Sequence, residues 1–277
     1  MRAALLQLCS GDDPAENLRE TGTLFDRAVA EGAGFVLTPE VTNCVSTSRT
    51  RQNEVLQHES EDITLAGLRE KAAKAGVWCL IGSLALKTND PDGRFANRSF
   101  LIGPDGDIAA RYDKIHMFDV QVSENESYRE SDGYRPGKEA VLAETPFGII
   151  GLTVCYDIRF PHLYRQLSLE GAEILTVPSA FSPVTGAAHW ETLLRARAIE
   201  NGAYVLAPTQ TGEHRARRGK ARKTYGHGMA VAPWGEVLAD AGEEPGLLHV
   251  ELDMARVVEA RRRIPSLAAA KGYNGPS

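Results

Sequence analysis

Three observations in the sequence predict an α/β fold. Short apolar runs rich in Val, Ile and Leu recur along the chain, most of them are followed by a stretch with helical periodicity, and turn residues separate the two at short intervals. Residues 2–8 read as the first strand. Asp12-Asp13-Pro14 is a helix-start signal, and residues 15–32 follow as a helix with Leu18, Leu24, Phe25, Ala28 and Val29 on one face and Gly32 at its end. Residues 35–37 are a buried strand that runs into Thr38-Pro39-Glu40. Residues 41–62 are polar and are expected as a surface loop with some helix. A second helix, 63–76, is marked by Leu65, Leu68, Ala72 and Ala75, and residues 77–86 form the next strand. After the turn Asn89-Asp90-Pro91-Asp92-Gly93, residues 98–102 and 108–112 make a hairpin around Gly103-Pro104-Asp105-Gly106. Residues 119–138, with Glu124, Glu126 and Glu130, are expected as a long polar loop, and such loops are often functional.

The second half repeats the alternation. Pro146-Phe147-Gly148 is a turn, 149–154 a strand, 161–170 a helix opened by Pro161, and 172–177 a strand. Residues 179–186 read as a loop, 188–201 as a helix and 203–207 as a strand. Residues 213–224 are a basic loop with Arg215, Arg217, Arg218, Lys220, Arg222 and Lys223, expected to be mostly solvated, although a charged entrance for an anionic substrate tail is the competing reading. A hairpin around Pro233-Trp234-Gly235, a strand at 247–252 and a helix at 254–263 complete the chain. No linker interrupts it, so one domain over 1–277 is expected, with a tail from about 264.

Composition narrows the function. Of 277 residues 43% are hydrophobic and 25% charged, as in ordinary globular chains. A formal charge of -6 argues against bulk nucleic-acid binding. The four cysteines, Cys9, Cys44, Cys79 and Cys155, are far apart and form neither a disulfide framework nor a zinc motif. A reducing, cytoplasmic setting fits them. No stretch reads as a signal peptide or a membrane span.

Glu40, Lys114 and Cys155 share one expected property: each follows a buried strand in an α/β pattern, and strand ends are where open α/β sheets place their sites. Cys155 lies where strand 149–154 meets a helix start. A helix N-terminus there would favour a thiolate, and free N–H groups could hold an oxyanion. A small buried core residue is the competing reading of Cys155, and a solvated loop acid that of Glu40. A cysteine nucleophile needs a base. His116, His162 and His189 are available for a Cys–His arrangement, and Cys44 is a rival nucleophile near Glu40. The residues alone leave these alternatives open.

Pro39-Glu40, Tyr112-Asp113-Lys114-Ile115-His116-Met117-Phe118-Asp119 and Cys155-Tyr156-Asp157-Ile158-Arg159-Phe160-Pro161 resemble the three motifs of the nitrilase superfamily of carbon–nitrogen hydrolases. Ser179-Ala180-Phe181, Thr185-Gly186, His189-Trp190, Arg129-Glu130-Ser131 and Tyr225-Gly226-His227 are similar to its Nit branch. The resemblance covers nearly the whole chain. It implies a four-layer αββα sandwich paired into a homodimer, and an amidase acting on a small, carboxylate-bearing 2-oxo acid amide without metal or organic cofactor. It implies Cys155 as nucleophile, Glu40 as general base, Lys114 as oxyanion stabiliser together with the Tyr156 backbone N–H, and Glu130 as the residue orienting Lys114 or the substrate. Arg159, Phe181 and Thr185 match positions that hold the 2-oxo acid end. A nitrilase or N-carbamoyl hydrolase with the same triad, or a binding protein on an inactive hydrolase fold, are the alternatives.

Overall fold

The first strand already dictates layers. In β1 (Arg2–Gln7) Ala3 and Leu5 face one way and Ala4 and Leu6 the other, and all four are buried, so apolar cover is required on both sides. A computed structural model describes residues 1–123, 126–269, 271 and 272. Glu124 lies outside the described residues, as do 270 and 273–277 of the tail.

After β1 come α1 (Pro14–Ala30), β2 (Phe35–Leu37), α2 (Arg49–Val55), α3 (Ile63–Ala75), β3 (Trp78–Leu86), β4 (Ala96–Ile102) and β5 (Ile108–Asp113). A small ribbon follows, β6 (Asp119–Ser123) and β7 (Glu126–Arg129), and then β8 (Val141–Thr145) and β9 (Gly148–Leu152). The chain continues through α4 (Pro161–Leu169), β10 (Ile174–Thr176), α5 (Pro183–Asn201) and β11 (Tyr204–Ala207). It ends with β12 (Thr211–Glu213), β13 (Lys223–Tyr225), β14 (Met229–Val231), β15 (Val237–Asp240), β16 (Gly246–Glu251) and α6 (Ala255–Arg263). The helix signals act as expected. Asp13 caps α1 by accepting from the N–H groups of Ala15 and Glu16, and Asp62 caps α3 through Leu65 N–H.

Two six-stranded sheets result, ordered β16-β1-β2-β3-β4-β5 and β15-β14-β11-β10-β9-β8. Each has three parallel strands at its centre, β1-β2-β3 in one and β9-β10-β11 in the other, flanked by antiparallel strands. Ala4 and Leu6 pack with Phe25 and Ala28 of α1 and with Leu65, Leu68 and Ala72 of α3. Ala3 and Leu5 join the other cluster, with Ile150 and Leu152 of β9. That cluster continues to Leu163 and Leu167 of α4 and Trp190 and Leu194 of α5. The architecture is therefore an αββα sandwich. No helix among the described residues is long and apolar enough to cross a membrane.

Four expectations are corrected. Residues 41–45 are buried rather than a surface loop, because they line the ends of the sheets. Much of the expected loop at 119–138 is the ribbon β6–β7, and the basic loop is bounded by the paired strands β12 and β13. These ribbons are short, and β6, Asp119-Val120-Gln121-Val122-Ser123, alternates over only two apolar residues, too few to stand out within a polar stretch. The loop expected at 179–186 ends early: Pro183 opens α5, which puts Thr185 in a first helical turn.

Candidate active site

Four strand ends converge where the two sheets meet. Glu40 follows β2, Lys114 follows β5, Cys155 follows β9, and Ala180 and Phe181 lie beyond β10. Together with Glu130, Tyr156, Phe118 and others they line a cavity of about 350 Å³. Glu40, Lys114 and Cys155 are 4%, 2% and 7% exposed, so their charges must be satisfied within the protein.

They are. Glu40 Oε1 accepts from Lys114 Nζ at 2.8 Å and from Asn97 Nδ2 at 2.9 Å, and its Oε2 accepts from Ala180 N–H at 2.9 Å. Lys114 Nζ also donates to both oxygens of Glu130, at 3.0 and 2.9 Å. Phe118 N–H, 2.6 Å from Glu130 Oε2, and Asn97 Nδ2, 3.2 Å from Oε1, fix that second carboxylate. Burial opposes ionisation of Glu40, yet the adjacent Lys114 ammonium outweighs it and holds the carboxyl below its ordinary value. Burial likewise opposes the Lys114 charge, and Glu130 and Glu40 overcome it, holding the ammonium well above its ordinary pKa. The resting site is thus an ionised carboxylate, a permanent ammonium and a second carboxylate.

Cys155 enters this arrangement with a strained backbone. Its φ is +50°, and its N–H donates to Pro178 O at 3.0 Å. Burial drives the thiol far above its usual pKa, the Glu40 charge adds to that, and Lys114 opposes it. The expectation of a thiolate favoured by a helix N-terminus is therefore corrected: only a 3₁₀ turn, Cys155–Arg159, starts at the cysteine, and desolvation dominates. The thiol is protonated at rest and shares its cavity with the ionised Glu40.

The polar residues after Cys155 now have places. Asp157 is fully buried and accepts from Tyr112 OH at 2.7 Å, Val154 N–H at 2.8 Å and His116 N–H at 3.1 Å. His116 Nδ1 is 2.7 Å from the same carboxylate, and its ring stacks on Phe160. Asp157 thereby ties the cysteine turn to the lysine segment. His116 is occupied there, His189 is exposed and sits 3.2 Å from Arg159 Nη2, and neither these two nor His162 lines the cavity among the described residues. The Cys–His arrangement has no geometry here. Cys44 does line the cavity, but burial pushes its thiol up to about 12 and its charged neighbours are Asp12, Arg51 and Asp13 rather than Glu40 and Lys114.

The Glu40 side is also held under strain. Val41, β-branched, has φ +46°. Its N–H donates to Ser83 Oγ at 2.8 Å, and Thr42 Oγ1 donates to Pro39 O at 2.8 Å. The structure brings Tyr156 and Phe181 into the cavity wall, whereas Arg159 and Thr185 are not among its lining residues. The Arg159 guanidinium carbon lies over the Phe181 ring, 5.5 Å from its centroid. Sequence reasoning missed Asn97, Asp157 as a clamp, and the Ala180 N–H. Asn97 stands beside Arg98 and Ser99 in the polar first half of β4, so nothing local singles it out, and a backbone donor leaves no side-chain signal at all.

This geometry defines a hydrolase with a buried carboxylate–lysine–cysteine centre at the ends of two stacked sheets. A family described as "Carbon-nitrogen hydrolase" matches residues 2–262, and the chain belongs to it. The protein is an amidase of this nitrilase-superfamily type. It is 42% identical over 269 residues to a deaminated glutathione amidase of Synechocystis sp. (strain PCC 6803 / GT-S), covering 96% of each chain. It is 40% identical over 265 residues to the protein of the same name from Yersinia enterocolitica, covering 95% of this chain and 91% of that one. The solved NitFhit protein of C. elegans is similar at a TM-score of 0.89 and 34% identity over 98% of this chain, which spans 65% of that longer protein.

Proposed function

We propose that this amidase hydrolyses deaminated glutathione at the amide joining its 2-oxo acid to the cysteinylglycine dipeptide, through a thioester on Cys155. The observation that carries the mechanism is that the Cys155 thiol shares one buried cavity with a Glu40 carboxylate that Lys114, 2.8 Å away, keeps ionised. As the sulfur attacks the amide carbon, the thiol proton passes to Glu40. Charge then develops on the carbonyl oxygen, where Lys114 Nζ and the Tyr156 N–H stabilise it. Glu40 returns the proton to the amide nitrogen, the C–N bond breaks, and the amine leaves with the acyl group on sulfur. Glu40 next takes a proton from water, the resulting hydroxide attacks the thioester, and the proton restores the Cys155 thiol as the acid departs. Glu130 acts as a positioning residue that aims Lys114. The 2-oxo acid end is assigned to the Phe181 side of the cavity, with the Arg159 guanidinium over that ring.

Identity of 40–42% over nearly the full length supports this substrate over the smaller ω-amidase substrate 2-oxoglutaramate. The family match over 2–262 supports a single catalytic domain. A homodimer in the cytoplasm completes the proposal. Its exposed Ile199, Trp234 and Ile264 share one apolar hollow on the surface. The test is kcat/KM for deaminated glutathione, 2-oxoglutaramate, a nitrile and an N-carbamoyl amino acid. Deaminated glutathione is expected to lead, and a higher value for any of the other three would overturn the assignment.

A further inference from the structure

The arginines between β12 and β13 divide into two kinds. Arg215 pairs with Glu16 and Glu20, Arg217 with Asp13, and Arg218 with Glu54, and all three side chains are 55–64% exposed. Arg222 is different. It is half-buried, lines the catalytic cavity, and forms no ion pair among the described residues, although its charge acts on Glu40. Its Nε is buried without a hydrogen-bond partner. Among the described residues its side chain makes one hydrogen bond, from Nη2 to Ala180 O at 2.6 Å, and its guanidinium faces the Tyr128 ring at 5.7 Å. A cation half-buried with an unsatisfied donor is costly unless an anion completes it.

Its place relative to the chemistry indicates which anion. Ala180 N–H binds Glu40 Oε2, and Ala180 O binds Arg222, so base and guanidinium sit at opposite ends of one residue's backbone. Glu40 is the group that protonates the leaving nitrogen, so the amine fragment must lie on its side of the cavity. Arg159, by contrast, lies over the Phe181 ring and does not line the cavity. A dipeptide amine in extended form reaches about 7 Å, which carries its terminal carboxylate beyond the base by the length of such a linkage. Arg222 is also held in place for this work. Its carbonyl accepts from His214 N–H at 2.8 Å, and Tyr225 N–H donates to Phe181 O at 3.0 Å, which stitches the β12–β13 ribbon to the cavity wall.

We propose that Arg222 is a specificity-determining residue that binds the carboxylate of the amine-side fragment, so that the enzyme selects amides whose leaving group is an anionic short peptide. This rests on the amidase reading above and deepens it. The competing role for Arg222 is a clamp on Ala180, and the two roles separate by substrate. Deaminated glutathione and its C-terminal glycinamide differ only in that carboxylate. Their kcat/KM values are to be measured for wild type, Arg222→Gln and Arg222→Lys, with 2-oxoglutaramate, whose leaving group is ammonia, as reference. Gln retains a donor for Ala180 O but has no charge.

The wild type is expected to prefer the acid to the glycinamide by about 10- to 100-fold, the range for a hydrogen bond to a charged group. That ratio should fall toward one in Arg222→Gln and be partly kept in Arg222→Lys, which has the charge without the fork. A wild type that does not distinguish the pair, or an Arg222→Gln protein whose acid-to-amide ratio is unchanged while all rates drop, overturns the proposal and leaves Arg222 a clamp. In those cases turnover of 2-oxoglutaramate shows that the amidase reading stands. Failure to cleave either peptide amide, with 2-oxoglutaramate turned over, removes the deaminated glutathione assignment and this inference with it. Should Arg222→Gln fail to fold, the wild-type preference and product inhibition by cysteinylglycine against its glycinamide form decide the question. Equal inhibition by the two overturns it.

Discussion

Gly82→Ala is expected to disable the enzyme from inside a strand. Gly82 lies in β3 where the pairing register with β4 shifts. A Cβ built there would fall 2.0 Å from Thr38 O, 2.4 Å from Pro178 Cβ and 2.6 Å from Pro39 O. These are backbone atoms and a proline ring, none of which can rotate away. To reach ordinary contact the neighbours must move by roughly 1 Å or more. Both affected segments serve the site: Thr38 and Pro39 lead into Glu40, and Pro178 O accepts the Cys155 N–H. The methyl therefore pushes base and nucleophile apart. A displacement of about 1 Å can cost on the order of 10²-fold in rate, and overpacking of this kind costs about 1–3 kcal/mol in stability. The thermal midpoint should fall by a few to about 10 °C. The assay is kcat at a temperature where circular dichroism shows the variant fully folded. A folded Gly82→Ala protein with kcat within about threefold of wild type would refute the argument that this contact sets the Glu40–Cys155 geometry.

Three further outcomes are expected. Cys155→Ala should fold, lose turnover by orders of magnitude and no longer be labelled in the cavity by an electrophile under conditions that label wild type; near-normal turnover would redirect attention to Cys44. Glu40→Gln should stop both acylation and thioester hydrolysis, and Lys114→Ala should lose about 10²-fold or more in kcat, checked by single-turnover kinetics and by mass spectrometry for an acyl group on Cys155 alone. The last outcome concerns pH. His214 is 1% exposed; its Nδ1–H donates to Ser10 O at 2.8 Å and its Nε2 accepts from Thr224 OH at 2.7 Å, and burial with Arg222 nearby lowers its pKa from 6.5 to about 4. Because the folded value is the lower one, this stability is fully present above 6.5 and is lost as pH falls toward 4, about 3 kcal/mol in all. Denaturant midpoints across that window should show it, and His214→Asn should flatten that part of the curve.

The sequence by itself carried the two kinds of periodicity, and with them the α/β class, most central strands and the helices with their capping residues. These signals are local: a strand buried on both faces must be apolar throughout, and Asp13 and Asp62 sit beside the N–H groups they cap. It also carried Glu40 and Cys155, because each stands just past a buried apolar run, and all three by a recognisable motif; the buried strand expected before Lys114 is instead the edge strand β5, in which only Tyr112 is buried. It could not carry partnerships made across the sheets. The Ala180 N–H reaches Glu40 over 140 residues, and no side chain records that donor. Gly82 looks like any glycine in a strand until Thr38, Pro39 and Pro178 are packed against it. The protonated state of Cys155 likewise follows from burial, which overrides the helix start that a local reading emphasises. Arg222 shows the limit most clearly. In sequence it is one of six cations in a basic stretch, and only the pairing of β12 with β13 and their packing against Phe181 turn that one guanidinium into the cavity while Arg215, Arg217 and Arg218 pair with surface carboxylates. Charge along the chain is a one-dimensional property, but which charge is desolvated depends on the fold.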